Sequence, residues 1–278
     1  MSDFVLTPEN YYSKDADIAY MSVHQYLDFC GHMGIVGCEA HAMAKLKGEW
    51  NDPTTDAMLV GSYVDSFFEG TQGQFIEEHP EIFTRGKERR LLAKYRQADV
   101  MIQRCLADPL FMKTMSGEKQ VIMTGHLLGC DWKIKMDSYI AGEAIVDLKT
   151  SANIHKMWKV QDYGYASFIE YWGYTIQLAV YQKIVEINTG KKLPCYISAV
   201  TKEDSPEIKV IYIDQMSLDH ALNEVAMNLP TVLAVKNGEA EPMRCGMCDY
   251  CKKTEVLLKP IRMEDLILGE RYEIYTDR

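Results

Sequence analysis

The chain has 278 residues, 47% of them hydrophobic, enough to bury a substantial core in one large domain or two small ones. No stretch approaches the roughly 18 apolar residues of a membrane span, and the start, MSDFVLTPEN, has no basic region followed by an apolar run, so a soluble, cytoplasmic protein without membrane association is expected. Thirty basic against 40 acidic residues give a net charge of −10, which excludes nucleic-acid binding by overall charge alone but leaves room for a carboxylate pocket beside a local basic groove.

In chain order, residues 23–47 carry a helical pattern that Gly31, Gly34 and Gly37 break into two helices. Asn51, Asp52 and Pro53 mark a turn, and residues 57–69 follow as a helix ended by Gly70 and Gly73. Residues 85–106 form an amphipathic segment with the densest basic cluster of the sequence: Arg85, Lys87, Arg89, Arg90, Lys94, Arg96 and Arg104. It reads first as a solvated helix face and second as a contact for a phosphate backbone.

From 118 to 149 the pattern changes to short β-rich runs separated by Gly125, Gly129 and Gly142, expected as consecutive antiparallel strands. The last two are WKIKMDSYI (132–140) and AIVDLKTS (144–151), joined by the turn AGE. A helix is expected over 171–187, strands near 195–200 and 208–213, and a helix over 217–235 with a bend or break at Pro230. This order predicts an α/β fold with a mixed central sheet flanked by helices. The expected organisation is a single domain over 1–278, with a helical N-terminal segment (1–56), a catalytic core (57–216), and a C-terminal helix and cysteine cluster (217–278).

Alternate residues of a strand share a face, so Asp147 and Lys149 point the same way while Leu148 faces the opposite side. If the strand before the AGE turn pairs with this one, Asp137 lies near Asp147, and two carboxylates can share a divalent ion. Phosphodiester hydrolysis needs a deprotonated water, an oriented phosphate and stabilised negative charge. Carboxylate-held Mg²⁺ or Mn²⁺ provides these, and a lysine can position the water.

The run IVDLKTS, preceded ten residues earlier by Asp137, resembles the core of the PD-(D/E)XK nucleases, in particular the exonuclease branch that includes the RecB nuclease domain. In GSYVDSFFEG, Gly61 and Asp65 stand where that branch has Gly-x-x-x-His, so an aspartate replaces a metal-ligating histidine, an exchange that suits Mg²⁺. Glu69 lies one turn later on the same face. In IQLAVY, Gln177 and Tyr181 are spaced like the branch's Gln-x-x-x-Tyr motif. The resemblance, from about residue 22 to residue 250, implies a restriction-endonuclease-like fold. It also implies a metal-dependent DNA exonuclease with Asp137, Asp147, Lys149, Gln177 and Tyr181 in its catalytic centre and Asp65, Asp137 and Asp147 as metal ligands. Phage and prophage proteins similar to exonuclease VIII are nearest in impression, which implies linear duplex DNA as substrate and recombination with a single-strand annealing protein. The other reading is a nuclease-like module that binds DNA or a partner without cutting.

Eight cysteines in a chain without an export signal point to metal binding more than to disulfides. Cys245, Cys248 and Cys251 leave a tetrahedral zinc or a 4Fe-4S cluster one ligand short, and no histidine follows them. The set is similar to that of the iron-sulfur subgroup of RecB-like nucleases, in which one N-terminal cysteine joins three C-terminal ones. That resemblance implies a 4Fe-4S cluster. The two-residue gap before Cys251, shorter than is usual in the subgroup, keeps zinc as the alternative. Cys38 and Cys30 compete for the N-terminal place; Cys38 is preferred because CEAHAMAKLKGEW opens a helix shortly before the Asp65 helix. Cys105, Cys130 and Cys195 read as core. The aromatics Trp158, Tyr163, Tyr165, Phe168, Tyr171, Trp172 and Tyr174 read mostly as core, with stacking on unpaired bases as the alternative. Oligomeric state is open.

Overall fold

In a computed structural model, which describes residues 4–86, 88–160, 163–260 and 262–263, the N-terminal segment holds three helices: α1 (Lys14–Ala19), α2 (Val23–Cys30) and α3 (Glu39–Lys47). Ser13 and Ser22 cap the first two by accepting from backbone N–H groups of the first turn. The glycines do break the 23–47 pattern, and they fold as a small hairpin, β1 (Gly31–His32) with β2 (Ile35–Val36). At Gly31, φ is +70° and a Cβ would lie 2.2 Å from the Ile35 carbonyl oxygen, so no other residue fits.

Helix α4 (Asp56–Glu69) begins at the Thr55 cap and closes on Gly70. Gly73 does not end it but lies in the next helix, α5 (Gln72–Glu78). The amphipathic segment is shorter than expected, since α6 spans only Ala93–Leu106. Leu91 bridges back to Phe83 instead, and both pack on the core, which holds that stretch extended. Arg85, Arg89 and Arg90 therefore leave the helix, and Lys87 lies outside the described residues. A short helix, α7 (Pro109–Thr114), follows on an Asp108 cap.

Strands β3 (Val121–Leu127) and β4 (Cys130–Met136) pair as an antiparallel hairpin. The strand expected over 132–140 is interrupted at Asp137, and β5 (Ser138–Ile140) pairs antiparallel with β6 (Ala144–Ser151). A further hairpin, β7 (Trp158–Val160) with β8 (Gly164–Ala166), was not apparent from the sequence pattern. The helix expected from 171 is divided at Gly173 into α8 (Phe168–Tyr171) and α9 (Tyr174–Thr189). Then come β9 (Cys195–Thr201), β10 (Ile208–Ile213), α10 (Gln215–Lys236), which runs through Pro230 as one helix, and α11 (Asp249–Lys253).

The central sheet has the order β10-β9-β6-β5 and is mixed as expected, with β6 and β9 parallel and both outer pairs antiparallel. A parallel pair needs a crossover, and α9 supplies it. Two cores lie on opposite faces. One joins α2, α9, α10 and the β3–β4 hairpin to Ile145, Ile197 and Ala199 of the sheet; the other joins α4, α6 and α7 to Val146, Leu148 and Val200. Alternation along β6 thus directs Ile145 and Asp147 to the α9 side. No helix among the described residues is long and apolar enough to cross a membrane.

Trp132 anchors the first core: it is fully buried, its indole N–H donates to the Leu127 carbonyl at 3.0 Å, and Tyr26 lies against it. Trp132→Ala should cost about 3–5 kcal/mol in urea unfolding, and Trp132→Phe should recover most of it. A loss below about 1 kcal/mol would mean that this core does not hold the fold.

Candidate active site

The β5–β6 pairing sets Ser138 opposite Val146, and one step further the same register brings Asp137 opposite Asp147. The ladder ends there. Asp137 Oδ2 accepts the Leu148 backbone N–H at 2.8 Å, so a side chain takes that donor. Asp147 is 3% exposed, and both its oxygens are engaged: Oδ1 accepts from Gln177 Nε2 at 2.7 Å and Oδ2 from Lys149 Nζ at 2.5 Å. The same ammonium stands 4.7 Å over the Tyr174 ring. Gln177 and Tyr181, both buried on α9, line one cleft of about 270 Å³ with Asp137, Asp147 and Lys149.

Helix α4 brings Asp65 and Glu69 to that cleft. Gly61 permits the approach, since a Cβ there would lie 3.1 Å from Thr150 Oγ1 of β6. Gln120, which the sequence reading missed, also lines it. The Gln120 backbone has φ +53°, and its Oε1 is buried with no hydrogen-bond donor while its Nε2 faces Asp137. Nothing in the local sequence distinguishes this glutamine; only the fold carries it to the carboxylates. An orphaned amide oxygen among Asp65, Glu69 and Asp137 makes a cluster rich in oxygen acceptors, and that donor set fits a hard divalent cation.

A groove of about 660 Å³ adjoins the cleft and shares His24, Asp65, Leu148 and Lys149 with it; Lys156, Lys202, Trp158 and Trp172 line its walls. Of the aromatics read mostly as core, Phe168 is core and Trp158 stacks on Tyr171 with ring centroids 5.0 Å apart, whereas Trp172, Tyr163 and Tyr165 are exposed. Among the described residues, none of the basic cluster of 85–104 lines the cleft or the groove, and Lys94 pairs with Asp56 at 2.5 Å.

Far from these pockets in sequence, Cys38, Cys245, Cys248 and Cys251 bring their sulfurs within 4.8 Å of one another. Cys30 is not among them; its thiol donates to the Tyr26 carbonyl. Cys105 and Cys195 are fully buried, and Cys130 is half-buried.

Residues 22–254 match the sequence family described as a PDDEXK-like domain of unknown function (DUF3799). The chain belongs to this PDDEXK-like family. A crystal structure from Eubacterium rectale, of a protein carrying the provisional name exonuclease, is 53% identical and superposes with a TM-score of 0.92, covering 96% of this chain and 99% of that one. A further solved structure, SSO0001, is 15% identical over 67% of this chain and 83% of its own, but its TM-score of 0.26 carries no structural argument. No curated protein matches the sequence.

In this PDDEXK-like domain two of the clustered carboxylates, Asp137 and Asp65, hold their protons tightly. Burial, and then the charge of Asp147, push the Asp137 carboxyl up to about 7 against the pull of Lys149 and the Leu148 N–H. Burial and Asp137 likewise hold Asp65 well above the ordinary carboxylate range. Burial pulls the Lys149 ammonium down, but Asp147 and Asp137 outweigh it and keep the lysine charged.

Between 3.8, the ordinary carboxyl value, and about 7, the folded chain keeps an Asp137 proton that the unfolded chain has lost, so this group's contribution to stability falls as pH rises and is lowest above about 7. A cation that replaces the proton should reverse this. Mg²⁺ or Mn²⁺ is expected to raise Tm more near pH ~8 than near pH ~5.5. Asp137→Asn should raise the metal-free Tm at the higher pH and remove most of the cation effect. Equal cation shifts at both pH values would count against a carboxylate site.

Proposed function

We propose that this chain is a Mg²⁺- or Mn²⁺-dependent deoxyribonuclease that degrades linear duplex DNA as an exonuclease. The observation that carries the reading is the convergence of Asp65, Asp137, Asp147 and Lys149 on one acidic cleft that opens into a groove walled by lysines and tryptophans. The name of the Eubacterium rectale relative supports the exonuclease class.

Asp65, Asp137 and Asp147 would hold the ion, with Gln120 Oε1 as a further oxygen. A bound Mg²⁺ or Mn²⁺ supplies Lewis acidity toward the phosphate and lowers the pKa of water. Lys149, kept charged by its carboxylate neighbours, orients the attacking water or neutralises a phosphate oxygen. Gln177 fixes the Asp147 carboxylate through its hydrogen bond, and the buried Tyr181 phenol, pushed up by burial and by Asp147 and Asp137, stays protonated beside it. Lys156 and Lys202 meet the phosphate backbone locally, which reconciles DNA as substrate with a net charge of −10. Trp172, exposed on the groove wall, offers a stacking face to an unpaired base.

The domain reading follows: one unit over 1–278, in which 57–216 carries the catalytic residues and 217–278 returns to the N-terminal segment through the four cysteines. On the resemblance to exonuclease VIII-like proteins, the pathway is phage-type recombination in the cytoplasm with a single-strand annealing protein as partner.

Purified protein should degrade linear duplex DNA with Mg²⁺ or Mn²⁺ and not with EDTA. Lys149→Ala and Asp147→Asn should each slow cleavage by at least about 100-fold while leaving the far-ultraviolet circular dichroism unchanged. If both variants cut at the parental rate, the centre lies elsewhere. A folded protein that binds DNA but leaves it uncut whichever divalent ion is supplied would make the chain a non-catalytic module.

A further inference from the structure

The four cysteines converge, and the spacing of their sulfurs discriminates between the two metal groups that the sequence leaves open. The Cys38 and Cys251 sulfurs are 3.5 Å apart, those of Cys245 and Cys251 are 3.9 Å apart, and all four lie within 4.8 Å of one another. A zinc ion with Zn–S bonds of about 2.3 Å in a tetrahedron sets its ligand sulfurs roughly 3.8 Å apart. A 4Fe-4S cluster interposes its own cage of iron and sulfide, and each thiolate binds a different corner iron and points outward. Sulfurs serving such a cage must stand farther apart than sulfurs that share one ion. The thiolate arrangement therefore disagrees with the iron-sulfur cluster implied by the resemblance to the RecB-like subgroup.

We propose that Cys38, Cys245, Cys248 and Cys251 bind a single tetrahedral zinc ion. This deepens the metal assignment and stands whether or not the chain cuts DNA. The backbone around the sulfurs is arranged for thiolates. Cys245 Sγ accepts from the Met247 and Cys248 N–H groups at 3.4 and 3.3 Å, Cys248 Sγ from the Cys251 N–H at 3.4 Å, and Cys38 Sγ from the Cys245 N–H at 3.5 Å. Gly246, with φ +70°, makes the tight turn that aims two N–H groups at one sulfur. Zinc with four thiolates carries a charge of about −2, and these donors offset it and orient the ligands. The protein fills all four coordination positions, so the site is closed and structural rather than catalytic.

The location agrees with that role. Cys38 precedes α3, Cys248 caps α11 and Cys251 lies within it, and the set packs with Ala40 and Tyr250 as a small cluster of its own. The Ala40 N–H donates to the Met243 carbonyl and Glu39 Oε2 accepts the Met243 N–H, so the C-terminal segment already docks on α3 beside the cysteines. One ion there closes a loop of more than two hundred residues, which the chain's own contacts would otherwise have to close.

The test uses full-length protein purified anaerobically from cells supplied with both iron and zinc. Elemental analysis should give one zinc per chain, iron and acid-labile sulfide at background, and no brown absorption. Replacing the zinc with Co²⁺ should produce the intense sulfur-to-cobalt charge-transfer band of tetrahedral thiolate ligation, which carboxylate-bound cobalt lacks. Cys248→Ser should lose this band and the zinc, whereas Cys30→Ser should keep both. Four irons and four sulfides per chain with brown absorption would overturn the proposal, as would a protein that holds no metal at these cysteines. DNA cleavage with Mg²⁺, measured on the same preparation, fails or succeeds independently of these readings.

Discussion

A carboxylate on a central strand with helices packed over it has to find partners, because burying an unpaired charge costs several kcal/mol. Asp147 has two, Lys149 from its own strand and Gln177 from α9, and that requirement organises the site around it. Lys149 can reach Asp147 because both leave β6 on one face. Gln177 can reach it because α9 is the crossover between the parallel strands β6 and β9 and must lie on that face. The helix that closes the sheet topologically thus also satisfies its buried acid.

The neighbouring carboxylates are not satisfied in the same way. Asp137 spends one oxygen on the Leu148 N–H, Asp65 faces Asp137 across a half-buried cleft with Glu69 beside it on α4, and the Gln120 amide oxygen has no donor. Negative charge held in such a place raises proton affinity, and it stores binding energy for a cation by the same physics. The stability that the fold gives up at this point is compensated by the two cores on either face of the sheet.

Several basic side chains serve the architecture rather than a ligand. Lys133, almost fully buried, reaches the Tyr11 carbonyl and Asp17, and Lys236 from the end of α10 reaches the Asp17 and Tyr20 carbonyls and Gln25. Together they pin the N-terminal segment across the core and bring Tyr11, Tyr12 and His24 to the rim of the cleft. The four cysteines tie the same segment to the C-terminal one. Lys156 and Lys202 line the groove, so a chain with a net charge of −10 can still present a locally basic path.

Much of the centre was legible because its chemistry is local. Strand alternation puts Asp147 and Lys149 on one face, helical spacing does the same for Gln177 and Tyr181, and a three-residue turn brings Asp137 back to Asp147; none of this depends on distant contacts. The antiparallel strand pair, the helix expected over 171–187 and the tight cysteine triplet were readable for the same reason. Other features were decided by tertiary packing. Leu91 bridges to Phe83, and so Arg85, Arg89 and Arg90 are not helical. The break at Asp137 arises because its side chain takes a backbone donor. Gln120 joins the cleft through the register of the β3–β4 hairpin, which the strand pattern did not specify, and the choice of Cys38 over Cys30 depends on how α3 docks against residues two hundred positions away. Periodicity specifies which residues share a face of one element, whereas which elements meet is set by burial summed over the whole chain, and that sum exists only in the folded state.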